Sequence, residues 1–449
     1  MKTTCDSILE AIGNTPLVYL SRISRGLPVR IYGKVETVNP GGSIKDRIAI
    51  AMLEEAEKKG LIKKGGTIVE ATSGNTGVGL ALVAAIKGYR CIFVLPDKMS
   101  EEKINLLRAY GAEVVITATN VPPDSPENYN NVADRLTRDI PGAYKPGQFA
   151  NLSNPETHYR WTGPEIWNAL GKDIDVFVAG VGTGGSVSGI GRYLKEKKPQ
   201  IKVVVADPEG SIISGDSPKP WKVEGIGEDF FPMTYNRQVV DDFVRVSDRE
   251  SFAMARRLAR EEGILAGGSS GTVLAAAVRY AERMQKGNIV VLLADTGRNY
   301  IGRIFNDRWM QQEGFMEAKS ERVPIGELLR RKKSTKLSTV AKKDKISQAV
   351  RMMHEQGISQ LPVVEKETVV GSLSESGIMK LLHDGLDLAN QEVAAVMGAP
   401  FPTLDESVDV SEAYRLLMAA YSAVVVSSNQ KLQGVLTRID FIDFWMGTK

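Results

Sequence analysis

Short apolar runs alternate with amphipathic stretches along the first two-thirds of the chain. The runs TIVEA (67–71), RCIFVLP (90–96), AEVVI (112–116), DVFVAGVG (175–182), KVVVADP (202–208) and NIVVLLAD (288–295) read as buried strands. Between them, 77–87, 100–110, 248–262 and 272–286 show helical spacing. Ser247 and Glu250 form a capping box for the third of these, and Gly263 ends it. Apolar strands separated by helices predict an α/β fold with parallel sheets covered by helices. Another helix is predicted from Ile44, Ile48, Met52 and Ala56 up to Gly60, with Ser43 as its N-cap and Asp46 three residues on.

The texture changes near residue 317. Residues 317–333, EAKSERVPIGELLRRKK, are charge-rich and read as a linker carrying a short helix. Beyond them lies an internal repeat. ISQLPVVEKETVVGSLSESG (358–377) overlays YSAVVVSSNQKLQGVLTRID (421–440), placing Gly371 on Gly434, Ser374 on Thr437 and Gly377 on Asp440. Each copy reads helix, strand, turn, strand, helix, and units so small need each other to bury a core. The expected domains are therefore 1–316, the linker 317–333, and a tandem module 334–449 with repeats at about 334–385 and 392–447.

Composition narrows the function. The net charge of +3 over 449 residues, with basic residues dispersed, gives no reason to expect nucleic acid. Cys5 and Cys91 are far apart, which argues for a reducing compartment and against a disulfide framework. The three histidines, His158, His354 and His383, do not make a metal site, so no metal is expected, and His158 reads as structural. No secretory h-region opens the chain and no apolar run reaches the ~18 residues a membrane helix needs. A cytoplasmic protein without membrane contact is expected.

The candidate chemistry sits in loops. In NPGGSIKDR (39–47), Lys45 follows a Gly-Gly turn at the start of a helix, where the dipole disfavours an ammonium. Desolvated there, the amine becomes a candidate for covalent chemistry. TSGNTG (72–77) lies between a strand and a helix and offers hydroxyls, an amide and free N–H groups to an anion. GVGTGGS (180–186) does the same. Its Gly180, Gly182 and Gly185 satisfy G-x-G-x-x-G and Asp207 follows roughly 20 residues on, so a dinucleotide reading stands beside a single-phosphate one. GGSSG (267–271) reads as a helix-to-helix turn able to present a neutral hydroxyl to a ring nitrogen. KVEGIGEDFFP (222–232) reads as a mobile active-site loop.

These motifs, with IGNTPL (12–17), GQFANLSNP (147–155), DPEGS (207–211) and RNYIGRIFNDRWM (298–310), resemble fold-type II pyridoxal-phosphate enzymes that perform β-replacement on serine-like amino acids. The resemblance covers essentially the first 316 residues, and the tail resembles tandem CBS-type repeats. It implies that Lys45 is the Schiff-base lysine and the base for the substrate α-proton. It implies that Asn75 meets the cofactor's ring hydroxyl, that Gly182, Thr183, Gly184, Gly185 and Ser186 form the phosphate cup, and that Ser269 meets the pyridine nitrogen. Thr72, Ser73, Thr76 and Gln148 would cradle the substrate carboxylate. A hydroxyl does not hold the pyridine nitrogen protonated, which suits β-elimination over transamination.

Both halves together resemble the cystathionine-forming members, implying condensation of L-serine with L-homocysteine to cystathionine and water. IGNTPL begins at residue 12, which leaves no room for a haem-binding extension, so haem is not expected. In the tail, Thr437 and Asp440 keep the pattern for an adenosine ribose, whereas Ser374 and Gly377 lack the acid. One adenosyl site, for S-adenosylmethionine or an adenine nucleotide, is expected rather than two, in a homodimer or homotetramer. The alternatives are an O-acetylserine sulfhydrylase, an NAD-dependent oxidoreductase using Gly180–Gly185 and Asp207, or a sensing module with an idle catalytic half. The acids Glu228 and Asp229 lean away from the first, because hydroxide needs a proton to leave and acetate does not.

Overall fold

The computed structural model describes residues 4–446 apart from 73, 98, 120, 123, 318–322, 333–336, 389 and 420. The chain divides after Glu317 into two compact units.

In the first unit, β1 (Leu17–Tyr19), β2 (Arg30–Val35), β6 (Val176–Gly180), β7 (Lys202–Pro208), β8 (Asp242–Val246) and β9 (Asn288–Leu293) form one sheet in the order β1-β2-β9-β6-β7-β8. A second sheet holds β3 (Thr67–Ala71), β4 (Arg90–Pro96) and β5 (Glu113–Thr117). All pairings are parallel except the edge hairpin β1–β2. Strands β6 and β7 read as unbroken Val-rich runs because helices cover both faces, and Phe177, Val203 and Val205 are fully buried. Strand β8, Asp242–Val246, begins with Asp242 and carries Arg245, so no apolar run marks it in the sequence.

The helix Lys45–Lys58 forms as its apolar spacing predicts, but Ser43 does not cap it in the expected way. Ile44, in helical conformation, precedes the helix without a side-chain cap. Ser43 Oγ instead accepts from the Lys45 N–H at 3.1 Å, and Asp46 reaches back to accept from the Gly41 N–H at 2.6 Å. The Gly-Gly turn is thereby closed by the helix it precedes. The capping box at Ser247 and Glu250 is present, with Gly263 as the left-handed stop. GGSSG is no connecting turn: Gly267 is the N-cap and Gly268–Ala281 is helix, so Ser269 lies inside its first turn.

In the second unit the repeat is structural down to single residues. β10 (Gln360–Glu365) and β11 (Thr368–Ser374) match β13 (Ala423–Ser428) and β14 (Lys431–Thr437), each hairpin with a register shift at the same place, Val363/Val364 and Val426/Ser427. The turn residues Lys366 and Glu367, like Asn429 and Gln430, have positive φ, the twist a two-residue hairpin demands. Strand β12 (Thr403–Asp405) joins β13 in parallel. Within the stretch 317–333, Ile325–Arg331 is helical, and its Ile325, Leu328 and Leu329 are buried with Leu417, Val424 and Leu436 of the second repeat. The copies meet where Val369 packs against Phe401, Ala423 and Val425.

Candidate active site

Four strand ends and helix starts of the first unit converge on a cavity of about 420 Å³ lined by Lys45, Thr72, Asn75, Gln148, Thr183 and Glu228, among others. A narrow neighbouring space shares Lys45, Gly182 and Thr183 and adds Gly184, Ser186 and Ser269. All sequence-predicted residues of this site therefore meet, with two qualifications. Ser73 lies outside the described residues. Gly185 lines neither space directly, but begins the helix Gly185–Lys197 whose N-terminus closes the cup.

Lys45 opens the helix Lys45–Lys58, and its amine makes no hydrogen bond among the described residues. Desolvation pushes it below the ordinary lysine range, opposed by the charges of Asp295 and Glu228. Its backbone is held rigidly. Two residues on, Arg47 is fully buried and reaches Glu36 through Nε at 2.7 Å and Nη2 at 2.9 Å, and Glu165 through Nη1 and Nη2, both at 2.7 Å. Lys34 adds a 2.6 Å contact to Glu165.

The helix Asn75–Lys87 starts at the end of β3 and presents Asn75, whose Nδ2 donates to Asp295 at 2.8 Å. Tyr300 donates to the same Asp295 oxygen at 2.7 Å. Thr76 donates to Gln148 Oε1 at 2.6 Å, so both arms of the predicted carboxylate cradle are joined. Asn154 donates from Nδ2 to Gln148 O and to Thr183 Oγ1, both at 3.0 Å, and ties that cradle to the glycine cup. Asp295, Tyr300 and Asn154 carry no local signal of a site role, because only long-range folding brings them in.

The cup needs its glycines. Gly184 has φ of +78°, and a Cβ on Gly185 would collide with the Asn154 side chain. The 222–232 segment is a wall of the cavity rather than a free loop: Gly227 N–H donates to Val181 O at 2.8 Å, and just beyond it Thr234 Oγ1 donates to Thr183 O at 2.5 Å. At the rim, Glu224 is ion-paired to Lys103 and, at 2.6 Å, to Arg303. Asp207 is fully buried, accepts from the Ser214 N–H at 2.9 Å and lines neither space. His158 is buried against Thr162 Oγ1 at 3.0 Å, and burial keeps it neutral.

Residues 8–295 match the family model "Pyridoxal-phosphate dependent enzyme", and 326–384 and 393–447 match "CBS domain". The chain is 40% identical to cystathionine beta-synthase of Mus musculus over 97% of this chain and 85% of that one. It is 38% identical to cystathionine beta-synthase of Dictyostelium discoideum over 99% and 93%. This chain belongs to the cystathionine β-synthase family of pyridoxal-phosphate-dependent enzymes. A solved structure of an O-acetylserine dependent cystathionine beta-synthase from Helicobacter pylori is 38% identical, covers 67% of this chain and 98% of its own, and superposes with a TM-score of 0.62.

Like the family, this chain is a lyase whose cofactor is pyridoxal phosphate, and the residues present fit that group. A bare amine at Lys45, the Ser269 hydroxyl without a protein hydrogen bond among the described residues, and a Cβ-free cup at a helix N-terminus line two neighbouring spaces that share Lys45, Gly182 and Thr183. They supply one partner each for an aldehyde, a ring nitrogen and a phosphate. Among the described residues no cluster of His, Cys, Asp or Glu could hold a metal, and no helix is long and apolar enough to cross a membrane.

Proposed function

We propose that this chain condenses L-serine with L-homocysteine to L-cystathionine and water. Support comes from the convergence of Lys45 with the Thr72–Thr76–Gln148 cradle in one cavity, and from relatives named for that activity across nearly the whole chain. Bound pyridoxal phosphate supplies the electron sink that acidifies the α-proton of an amino acid.

The chain's residues do the rest. Lys45 holds the cofactor, and its amine, whose charged form desolvation disfavours, takes the α-proton and later returns it. Asn75 and Ser269 hold the ring at its hydroxyl and nitrogen. Gly182, Thr183, Gly184, Gly185 and Ser186 hold the phosphate with N–H groups and hydroxyls. Thr72, Ser73, Thr76 and Gln148 take the substrate carboxylate and so aim the α-proton at Lys45.

The second unit is proposed to bind one adenosyl ligand in its cleft of about 550 Å³, lined by Lys332, Gln360, Gly434, Thr437 and Asp440. Asp440 Oδ2 already accepts from Thr437 N–H at 2.7 Å, Thr437 Oγ1 at 2.9 Å and Lys332 Nζ at 3.0 Å, which orients the carboxylate. At the matching place the first repeat has Gly377, whose N–H donates to Ser374, so that half supplies no acid there. The reading includes a catalytic domain 1–316, a tandem module from 334, a homodimer or homotetramer, and a cytoplasmic setting consistent with two unpaired cysteines.

Chromatographic identification of the product from serine plus homocysteine tests the reading, with S-adenosylmethionine and adenine nucleotides titrated in. Cystathionine is the expected product. Cysteine formed from O-acetylserine and sulfide, with none from serine and homocysteine, would transfer the assignment to a cysteine synthase.

A further inference from the structure

We propose that Glu228 is the acid that protonates the departing hydroxyl of serine, and so sets the preference for serine over donors with better leaving groups. The inference rests on the β-replacement reading above.

Glu224 and Glu228 are the carboxylates that line the catalytic cavity among the described residues. Glu224 is committed to Lys103 and Arg303. Asp295, behind Asn75, already accepts from Asn75 and Tyr300. The Glu228 carboxyl makes no hydrogen bond or ion pair with a described residue, while its backbone is fixed on both sides. Its N–H donates to Ser211 Oγ at 3.1 Å, and its carbonyl accepts from the Ile212 N–H at 3.0 Å. The side chain stands over the glycine cup: a Cβ placed on Gly182 would lie 3.9 Å from Glu228 Oε1. It faces Lys45 across the cavity closely enough for the two charges to act on one another.

The protonation state agrees with the geometry. Burial first, then the charge of neighbouring Asp229, push the Glu228 carboxyl up to about 8, against the pull of Lys45. At neutral pH the carboxyl is then mostly protonated, while burial favours the uncharged form of the Lys45 amine opposite it, a base and an acid separated by environment.

The step balances. Lys45 takes the α-proton, and the freed electron pair becomes the second bond between Cα and Cβ. The Cβ–Oγ bond breaks with its pair on oxygen, which takes the Glu228 proton and leaves as water. Homocysteine adds to Cβ as the thiolate, its proton having gone to solvent, Glu228 takes a proton back from solvent, and Lys45 returns its proton to Cα. Both groups end as they began.

Replacing serine by O-acetylserine removes the need for the acid, since acetate leaves unprotonated. In the holoenzyme, Glu228→Gln is expected to lower kcat with serine by about 100-fold or more while kcat with O-acetylserine stays within about 3-fold. Glu228→Asp is expected to recover part of the serine activity. The cofactor's absorbance checks that each variant retains the folded site. Equal losses on both donors, or no loss on serine, would overturn the role of Glu228. A wild-type enzyme that makes no cystathionine from serine would instead remove the parent reading, and this one with it.

Discussion

Asn75 donates to Asp295 at 2.8 Å although 220 residues separate them. The contact joins the start of a helix in the β3–β4–β5 layer to the residues just past β9 of the large sheet. Asp295 in turn accepts from Tyr300, and Asn299 donates to Asn75 Oδ1 at 3.4 Å. The amide is therefore held from both ends, with its second N–H left for a ligand.

Cutting that brace should loosen the cofactor before it unfolds the protein. Asp295→Ala is expected to weaken pyridoxal-phosphate affinity by roughly 10- to 100-fold, the scale of one lost buried hydrogen bond to a charged group. Absorbance titration of the apo-protein reads it, and unchanged affinity would show that Asn75 needs no support.

Lys45→Ala is expected to abolish turnover and the visible band of the bound cofactor together, because one amine is both attachment and base. Detectable steady-state cystathionine formation by this variant would remove Lys45 from its role.

A methyl group at Gly185 has nowhere to go, since it meets the Asn154 side chain. Gly185→Ala is expected to cost about 1–3 kcal/mol and to displace the Asn154 link to Thr183 and Gln148. Loss of phosphate-dependent thermal stabilisation in a melting experiment with and without cofactor is the sign to look for.

Arg47→Met tests the buried frame under the Lys45 helix. It strands Glu36 and Glu165 without their guanidinium, and a loss of about 3–5 kcal/mol is expected by denaturant unfolding. A near-neutral result would mean that Lys34 alone suffices for Glu165.

Glu70 accepts from the Gly147 N–H at 2.7 Å, beside the Gln148 arm of the cradle. Burial raises its carboxyl to about 7, so the folded state holds a proton that the unfolded chain releases near 4.5. Its stabilising contribution is complete below about 4.5 and is lost as pH rises through 7. Relative to Glu70→Gln, the wild type should lose on the order of 3 kcal/mol between those pH values, read from unfolding midpoints. Parallel pH profiles for the two proteins would contradict this.

Much of the molecule is written locally. Short, mostly apolar runs specified β3, β4 and β7 to the residue because strands buried on both faces need no polar alternation. The offset between the repeats predicted paired hairpins that agree down to their bulges, since turn and register are short-range properties. Lys45, the TSGNTG turn and the glycine cup were legible for the same reason: each is a strand-to-helix junction with its own chemistry. Polar β8 and the GGSSG helix start were not, because tertiary burial outweighed local composition. Only the fold could decide that Asn75 answers to Asp295, that Asn154 ties the cup to the cradle, and that Arg47 is buried between two glutamates. It also left Glu228 as the cavity's unpaired acid among the described residues by committing Glu224 to Lys103 and Arg303. Sequence spacing carries periodicity over a few residues; which charges are paired depends on contacts closed across hundreds.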